Sequence, residues 1–214
     1  MIRTENLYKK FGDLIALENI NIQIHKGEFV AIMGASGSGK TTLMNILSSL
    51  DTPSSGKVLI EGIEISQFKK SQKRRFRAEK IGLIFQQFHL IPYLNALENV
   101  MLAQHYHSII DEKSAKEILK SVGLEHRFFH RPSQLSGGEQ QRLCIARALI
   151  NEPSIIFADE PTGNLDEENE NLVLEILLKL NKEGRTIVMV THNPELAKKT
   201  QKTIILHHGK LISN

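Results

Sequence analysis

The run GASGSGKT, Gly34 to Thr41, constrains this chain more than any other stretch. It fits the pattern G-x-x-x-x-G-K-[ST] and stands between a continuous apolar run, Phe29 to Met33, and a helical pattern over Thr42 to Leu50. A strand that is apolar at every position is buried on both faces, as in a parallel sheet covered by helices. Glycines let the backbone curl so that successive N–H groups converge on one point, and the following helix aims its positive end there. Such a loop cradles phosphate oxygens. Lys40 reaches the β- and γ-phosphates of a nucleotide, and Thr41 offers its hydroxyl to Mg2+.

The rest of the chain alternates strands with helices around that loop. Ile20, Ile22 and Ile24 alternate as a half-buried strand does, and this segment is expected to pair antiparallel with Ile2 to Leu7. Further strands are expected at Lys57 to Ile60, Ile81 to Phe85, Ser154 to Ala158, Thr186 to Val190 and Thr203 to Leu206, the last turning at Gly209. A helix is expected over Asn169 to Asn181, with Leu172, Ile176 and Leu180 on its apolar face and Gly184 closing it. The stretch from Phe88 to Leu135 has few β-branched residues and a helical pattern at Ala115, Ile118, Leu119 and Val122. The expected architecture over 1–214 is an α/β P-loop NTPase core with a mainly parallel sheet. To it are added an N-terminal antiparallel β subdomain and an α-helical subdomain inserted at about 88–140.

A second chemical motif is IIFADE, Ile155 to Glu160, an apolar strand ending in two adjacent carboxylates. Neighbouring strand side chains point to opposite faces, so the two acids can do different jobs. Asp159 is suited to Mg2+ and Glu160 to polarising an attacking water. No apolar run approaches the ~18 residues of a membrane span, so any membrane role runs through a partner, from the cytoplasmic side. The N-terminus lacks a secretory leader pattern. Cys144 is the single cysteine and reads as a small buried hydrophobe. A net charge of +3 does not argue for nucleic acid as a partner.

LSGGE, Leu135 to Glu139, resembles the signature motif of ABC ATPases. Ser136, Gly137 and Gly138 expose N–H groups and a hydroxyl at the start of a helix led by Glu139, which makes a second anion site. The resemblance covers nearly the whole chain. It implies ATP and Mg2+ as cofactors, and a homodimer in which this second site faces the γ-phosphate bound by the other copy. It also implies an integral membrane permease as partner, with the chain held peripherally at the inner membrane. On the same resemblance, Gly34, Ala35, Ser36, Gly37, Ser38, Gly39, Lys40, Thr41 and Thr42 bind the nucleotide phosphates. Phe11 matches the aromatic that stacks on adenine, where the family often has Tyr; Tyr8 is the second choice. Gln86 matches the glutamine that senses Mg2+ and γ-phosphate, and His192 the histidine that contacts γ-phosphate. Asn164-Leu165-Asp166 matches the loop that crosses the dimer interface.

Within that family, SLDTPSSG, FQQFHLIP, ALENV, HRPSQLSGGEQQR and DEPTGNLD resemble the branch of lipoprotein-releasing, macrolide-exporting and cell-division ATPases. The stretch VGLEHRFFHRPSQL is most similar to the lipoprotein-releasing type. The segment from Leu102 to Ala115 departs from the branch: it is short and lacks a proline. An alternative within the family is an ATPase that transmits force to cell-wall enzymes without moving a substrate. A DNA-repair or translation ATPase would carry a coiled-coil insertion or a second cassette, and this chain has neither. Finally, Gln67 to Lys80 carries seven Lys or Arg against one Glu. It reads as a solvated basic helix face, or more sharply as an electrostatic approach to anionic headgroups.

Overall fold

The computed structural model describes residues 1–105 and 109–213. Among these, the larger sheet consists of β4 (Phe29–Met33), β7 (Ile81–Ile84), β8 (Ile155–Asp159), β9 (Thr186–Val190), β10 (Lys202–His207) and β11 (Lys210–Ser213). Its order is β11-β10-β4-β9-β8-β7. Pairing is parallel from β10 through to β7 and antiparallel only at the β10–β11 edge. The second sheet is antiparallel. It joins β1 (Ile2–Phe11), β2 (Leu14–Ile20), β3 (Gln23–Ile24), β5 (Ser55–Ile60) and β6 (Ile63–Glu64).

The helices are α1 (Lys40–Leu47), α2 (Lys70–Lys80), α3 (Ala96–Gln104), α4 (Glu112–Ser121), α5 (Gly137–Leu149), α6 (Glu167–Lys182) and α7 (Pro194–Ala197). The alternation of strand side chains sorts the core into two layers. Phe29, Ile156, Ala158, Ile187 and Met189 face a cluster with Leu97, Leu119, Leu143, Val173 and Leu177, drawn from α3 to α6. Val30, Ile32, Phe157, Val188 and Val190 face α1 and the second sheet, against Leu43, Leu47, Ile2, Leu7 and Ile60. Both faces of the parallel strands are thus covered, which explains why those runs are apolar throughout. Cys144 is buried in α5, and burial pushes its thiol up to about 12.

Three sequence expectations shift. The strand expected across Ile20 to Ile24 is broken in two. Thr4 reaches into the gap: its hydroxyl donates to the Ile20 carbonyl and accepts from the Ile22 N–H. The first helix starts at Lys40 and stops at Leu47, with Ser48 closing it. On α6 the buried face is Val173, Leu174, Leu177 and Leu180; Leu172 is exposed and Ile176 only partly buried. Asp166 caps α6, accepting from the Asn169 N–H, and Gly184 follows its end as expected. The short Leu102 to Ala115 segment includes residues 106–108, which lie outside the described residues.

The basic segment is divided between anchored and exposed cations. Arg77 donates to the Ser49 carbonyl at 2.7 Å, and Lys73 donates to the Asp51 carbonyl at 3.4 Å and to the Thr52 hydroxyl. Lys80 pairs with Glu61 at 3.3 Å and Arg75 with Glu79 at 2.6 Å. Lys69, Lys70, Arg74 and Arg75 are exposed. Arg77 and Lys73 thus bind the loop from Ser49 to Thr52 that follows α1. Two of the seven cations therefore anchor the loop behind the phosphate-loop helix.

Candidate active site

α1 begins immediately behind the loop. Its N-cap, Gly39, has φ 99 and supplies no side chain, so the first-turn N–H groups lack a side-chain cap. A Cβ on Gly39 would sit 2.6 Å from the Ala16 carbonyl oxygen, so space and backbone conformation both require glycine. Lys40 Nζ donates to the carbonyls of Gly34 and Ala35, each at 2.8 Å, which holds the ammonium across the loop.

β8 and β9 bring the carboxylates beside it. Asp159 ends β8, and the Thr41 hydroxyl lies 3.5 Å from its Oδ2. Glu160 follows at φ 45, a left-handed conformation, and its N–H donates to the Val190 carbonyl at 3.0 Å. This turn aims the carboxylate past the end of β9, where His192 Nδ1 lies 2.9 Å from Glu160 Oε2. Gln86 follows β7. Its carbonyl accepts from the Asn164 side chain at 3.4 Å, and its Nε2 would lie 3.1 Å from a Cβ on Gly163.

Lys40, Thr41, Gln86, Asp159 and Glu160 share one cleft of about 420 Å3, and His192 stands outside its lining. The cleft is lined by Phe11, Leu14, Ile15, Ala16, Ser36, Gly37, Gly39, Lys40, Thr41, Thr42, Gln86, Asp159, Glu160 and Val190. Of the loop residues named from sequence, Gly34 and Ala35 turn their carbonyls to Lys40, and Ser38 is buried. Tyr8 is not among the lining residues, whereas Phe11 is. Leu14, Ile15 and Ala16 escaped the sequence reading. The signal that marks them is the Gly12-Asp13 turn, which folds β2 back along β1 and sets Leu14 opposite Phe11.

The Ser136 to Glu139 start of α5 lies outside that cleft lining. Ser136 is its N-cap: the hydroxyl accepts from the Glu139 N–H at 3.2 Å, and Glu139 Oε2 accepts from the Ser136 N–H at 2.8 Å. Glu139 Oε1 pairs with Arg127 at 2.8 Å. Burial raises the Glu139 pKa, but Arg127 and the Ser136 N–H outweigh it and hold the carboxyl below its usual value. Gly138 packs so tightly that an added Cβ would lie 1.8 Å from Asn169 Oδ1. Asn169 is pinned there by Asp166 at 2.9 Å and Arg142 at 3.0 Å. The Asn164-Leu165-Asp166 loop and the start of α5 therefore form one packed unit, which spacing along the sequence did not reveal.

The donor set suits Mg2+. A hydroxyl, a carboxylate and a side-chain amide are hard oxygen ligands, converging beside a phosphate loop. Asp159 is poised for a cation: burial, and after it the neighbouring Glu160 charge, push its carboxyl up, with Thr41 and Lys40 only partly opposing. A raised carboxyl pKa means the folded state binds the proton more tightly than the unfolded one. The ionised group therefore opposes folding in full above its folded value, and the penalty is relieved as pH falls from there through the unfolded value. Asp159→Asn should accordingly raise the melting temperature of the chelator-treated protein at pH 7 while cutting turnover. The gain should shrink at acid pH. Thermal melts at both pH values check this, and a lower melting temperature at pH 7 would contradict it.

A glycine loop feeding a helix, a lysine across it and two unlike carboxylates at a strand end define a P-loop nucleoside triphosphatase. The chain belongs to the ABC transporter family, whose model matches residues 17–163, and it is an ATPase of that family. Over its full length it is 47% identical to the macrolide export ATP-binding/permease protein MacB of Campylobacter jejuni, of which it spans 34%. It is 46% identical to the lipoprotein-releasing system ATP-binding protein LolD of Aquifex aeolicus, covering 99% of this chain and 96% of that one. The ATP-binding cassette MJ0796 of Methanocaldococcus jannaschii, solved as a dimer in a post-hydrolysis state bound to ADP and Pi, matches with a TM-score of 0.92. That match has 43% identity and covers 100% of this chain and 97% of that one.

Proposed function

We propose that this chain is the motor subunit of a membrane ABC transporter, working as a homodimer that closes around two Mg-ATP. Lys40 and the loop amides neutralise the triphosphate, and Phe11 stacks on adenine. Thr41, Asp159 and Gln86 hold Mg2+, which supplies charge neutralisation to the phosphate oxygens. Glu160 takes the proton from the attacking water, and His192 orients Glu160 and meets the γ-phosphate. The observation that carries this reading is the start of α5, an anion-ready helix end outside the cleft formed by its own phosphate loop. Head-to-tail pairing sets Ser136, Gly137, Gly138 and Glu139 of one copy against the nucleotide of the other. The dimeric form of the MJ0796 cassette supports this arrangement.

In this reading residues 1–214 act as one cassette, and the segment at about 88–140 meets an integral membrane permease. No described helix is long and apolar enough to cross a membrane, which suits a chain held peripherally on the cytoplasmic side. The work performed is substrate export or lipoprotein release. Identities of 47% to MacB and 46% to LolD support these equally, and the permease sets the cargo.

Lys40→Ala tests the core of the proposal. Removing the Lys40 ammonium from across the loop should weaken ATP binding in calorimetry and cut turnover by about 10²-fold or more. The thermal melt should stay near wild type. ATP affinity equal to wild type would overturn the phosphate assignment.

A further inference from the structure

We infer that Lys9 is a positioning residue for the base platform, backing the Phe11 ring on the side away from the bound purine. The inference rests on the proposed stacking role of Phe11. Phe11 ends β1 at the lip of the cleft and is 50% exposed, an unfavourable place for a phenyl group unless something holds its ring. Lys9 lies two residues earlier, on the same face of the strand. Its ammonium is 4.6 Å from the ring centroid. That ammonium is fixed from below: Asp51 Oδ2 and the Thr52 carbonyl each lie 2.7 Å away, and the residue is buried. Lys9 is not among the residues that line the cleft, while Phe11 is.

A ring with a cation on one face has two consequences. The cation holds the ring in one rotamer, so less freedom is lost when a base stacks on it. It also draws π density towards itself, leaving the open face poorer in electrons and a better partner for an electron-rich purine. A plainer account gives Lys9 only the task of neutralising Asp51 and closing the loop where α1 ends, a loop that Lys73 and Arg77 also bind.

A double-mutant cycle separates the two. Lys9→Met keeps the apolar stem and removes the charge. It should raise the ATP Kd and KM about 3- to 10-fold, with kcat changed by less than about twofold. Lys9→Arg should restore most of the affinity. Combined with Phe11→Ala, Lys9→Met should add nothing further. A wild-type KM in Lys9→Met, beside an impaired Phe11→Ala, would overturn the inference and leave the base site standing. An equal added loss in the Phe11→Ala background would overturn it too, because Lys9 would then act through Asp51 and not the ring. Wild-type affinity in Phe11→Ala would remove the base site and the role of Lys9 together.

Discussion

Glu160→Gln should nearly stop hydrolysis while leaving ATP bound. The substitution keeps the size of the side chain and an acceptor oxygen within reach of His192, which lies 2.9 Å from the carboxylate in the native site. What it removes is the basic group, and loss of a positioned general base costs about 10²- to 10⁴-fold in rate. The groups proposed to hold nucleotide and Mg2+, namely Lys40, Thr41, Asp159 and Gln86, are untouched. If each site is shared by two copies, a site unable to discharge its γ-phosphate should trap the closed pair. Size-exclusion chromatography with ATP and Mg2+ should then show dimer for Glu160→Gln, and monomer once Ser136→Arg sets a bulky cation at the start of α5. Wild-type turnover in Glu160→Gln would remove its catalytic role. A slow variant that remains monomeric at saturating ATP would contradict the shared site.

Gly138→Ala should be nearly as damaging, for a reason of space and not chemistry. The new methyl would fall 1.8 Å from Asn169 Oδ1, 2.1 Å from its Cγ and 2.9 Å from its Cβ. Rotating the Asn169 amide relieves the clash with Oδ1 but not those with Cγ and Cβ, and Arg142 and Asp166 resist that rotation. The start of α5 must therefore shift away from α6. Overpacking of this kind costs about 1–3 kcal/mol, which for a chain of this size lowers the melting temperature by roughly 5 °C. Turnover should fall much further than stability, because the displaced helix start is the part proposed to meet the opposite nucleotide. ATP binding to the phosphate loop of the same chain should persist. Asn169→Gly placed with Gly138→Ala removes all three clashing atoms and should recover melting temperature and part of the activity. Normal turnover in Gly138→Ala alone would show that the close approach has no functional weight.

The parts of the site written in contiguous sequence were legible without a structure. The phosphate loop announces itself because strand, loop and helix follow one another, and Asp159 and Glu160 because they end an apolar run. Parts built by distant residues were not. Gly138 against Asn169, and Lys9 between Asp51 and Phe11, join segments that no local pattern connects. The face of α6 was misread for another reason. In LVLEILLKL, leucine, isoleucine or valine occupies almost every position, so two helical stripes compete, and only packing against the sheet decides between them. The start of β2 was missed because Leu14 and Ile15 are exposed strand residues with little alternation to mark them. The basic stretch was visible as charge, but its binding to the loop behind α1 depends on tertiary approach.

The sheet order has a consequence for how the protein is made. β4, which delivers the phosphate loop, has β10 on one side and β9 on the other, and those strands begin at residues 202 and 186. A ribosome releases β4 long before either neighbour exists. At ordinary elongation rates the wait is roughly 10–30 s, during which an entirely apolar strand has no sheet partner within its own chain. The nucleotide site is thus among the last features to form during synthesis, although the residues that define it are among the first translated. A nascent chain arrested before residue 186 should be unable to hold nucleotide, and its unpaired β4 is the segment most exposed to chaperones or to mispairing with other nascent chains.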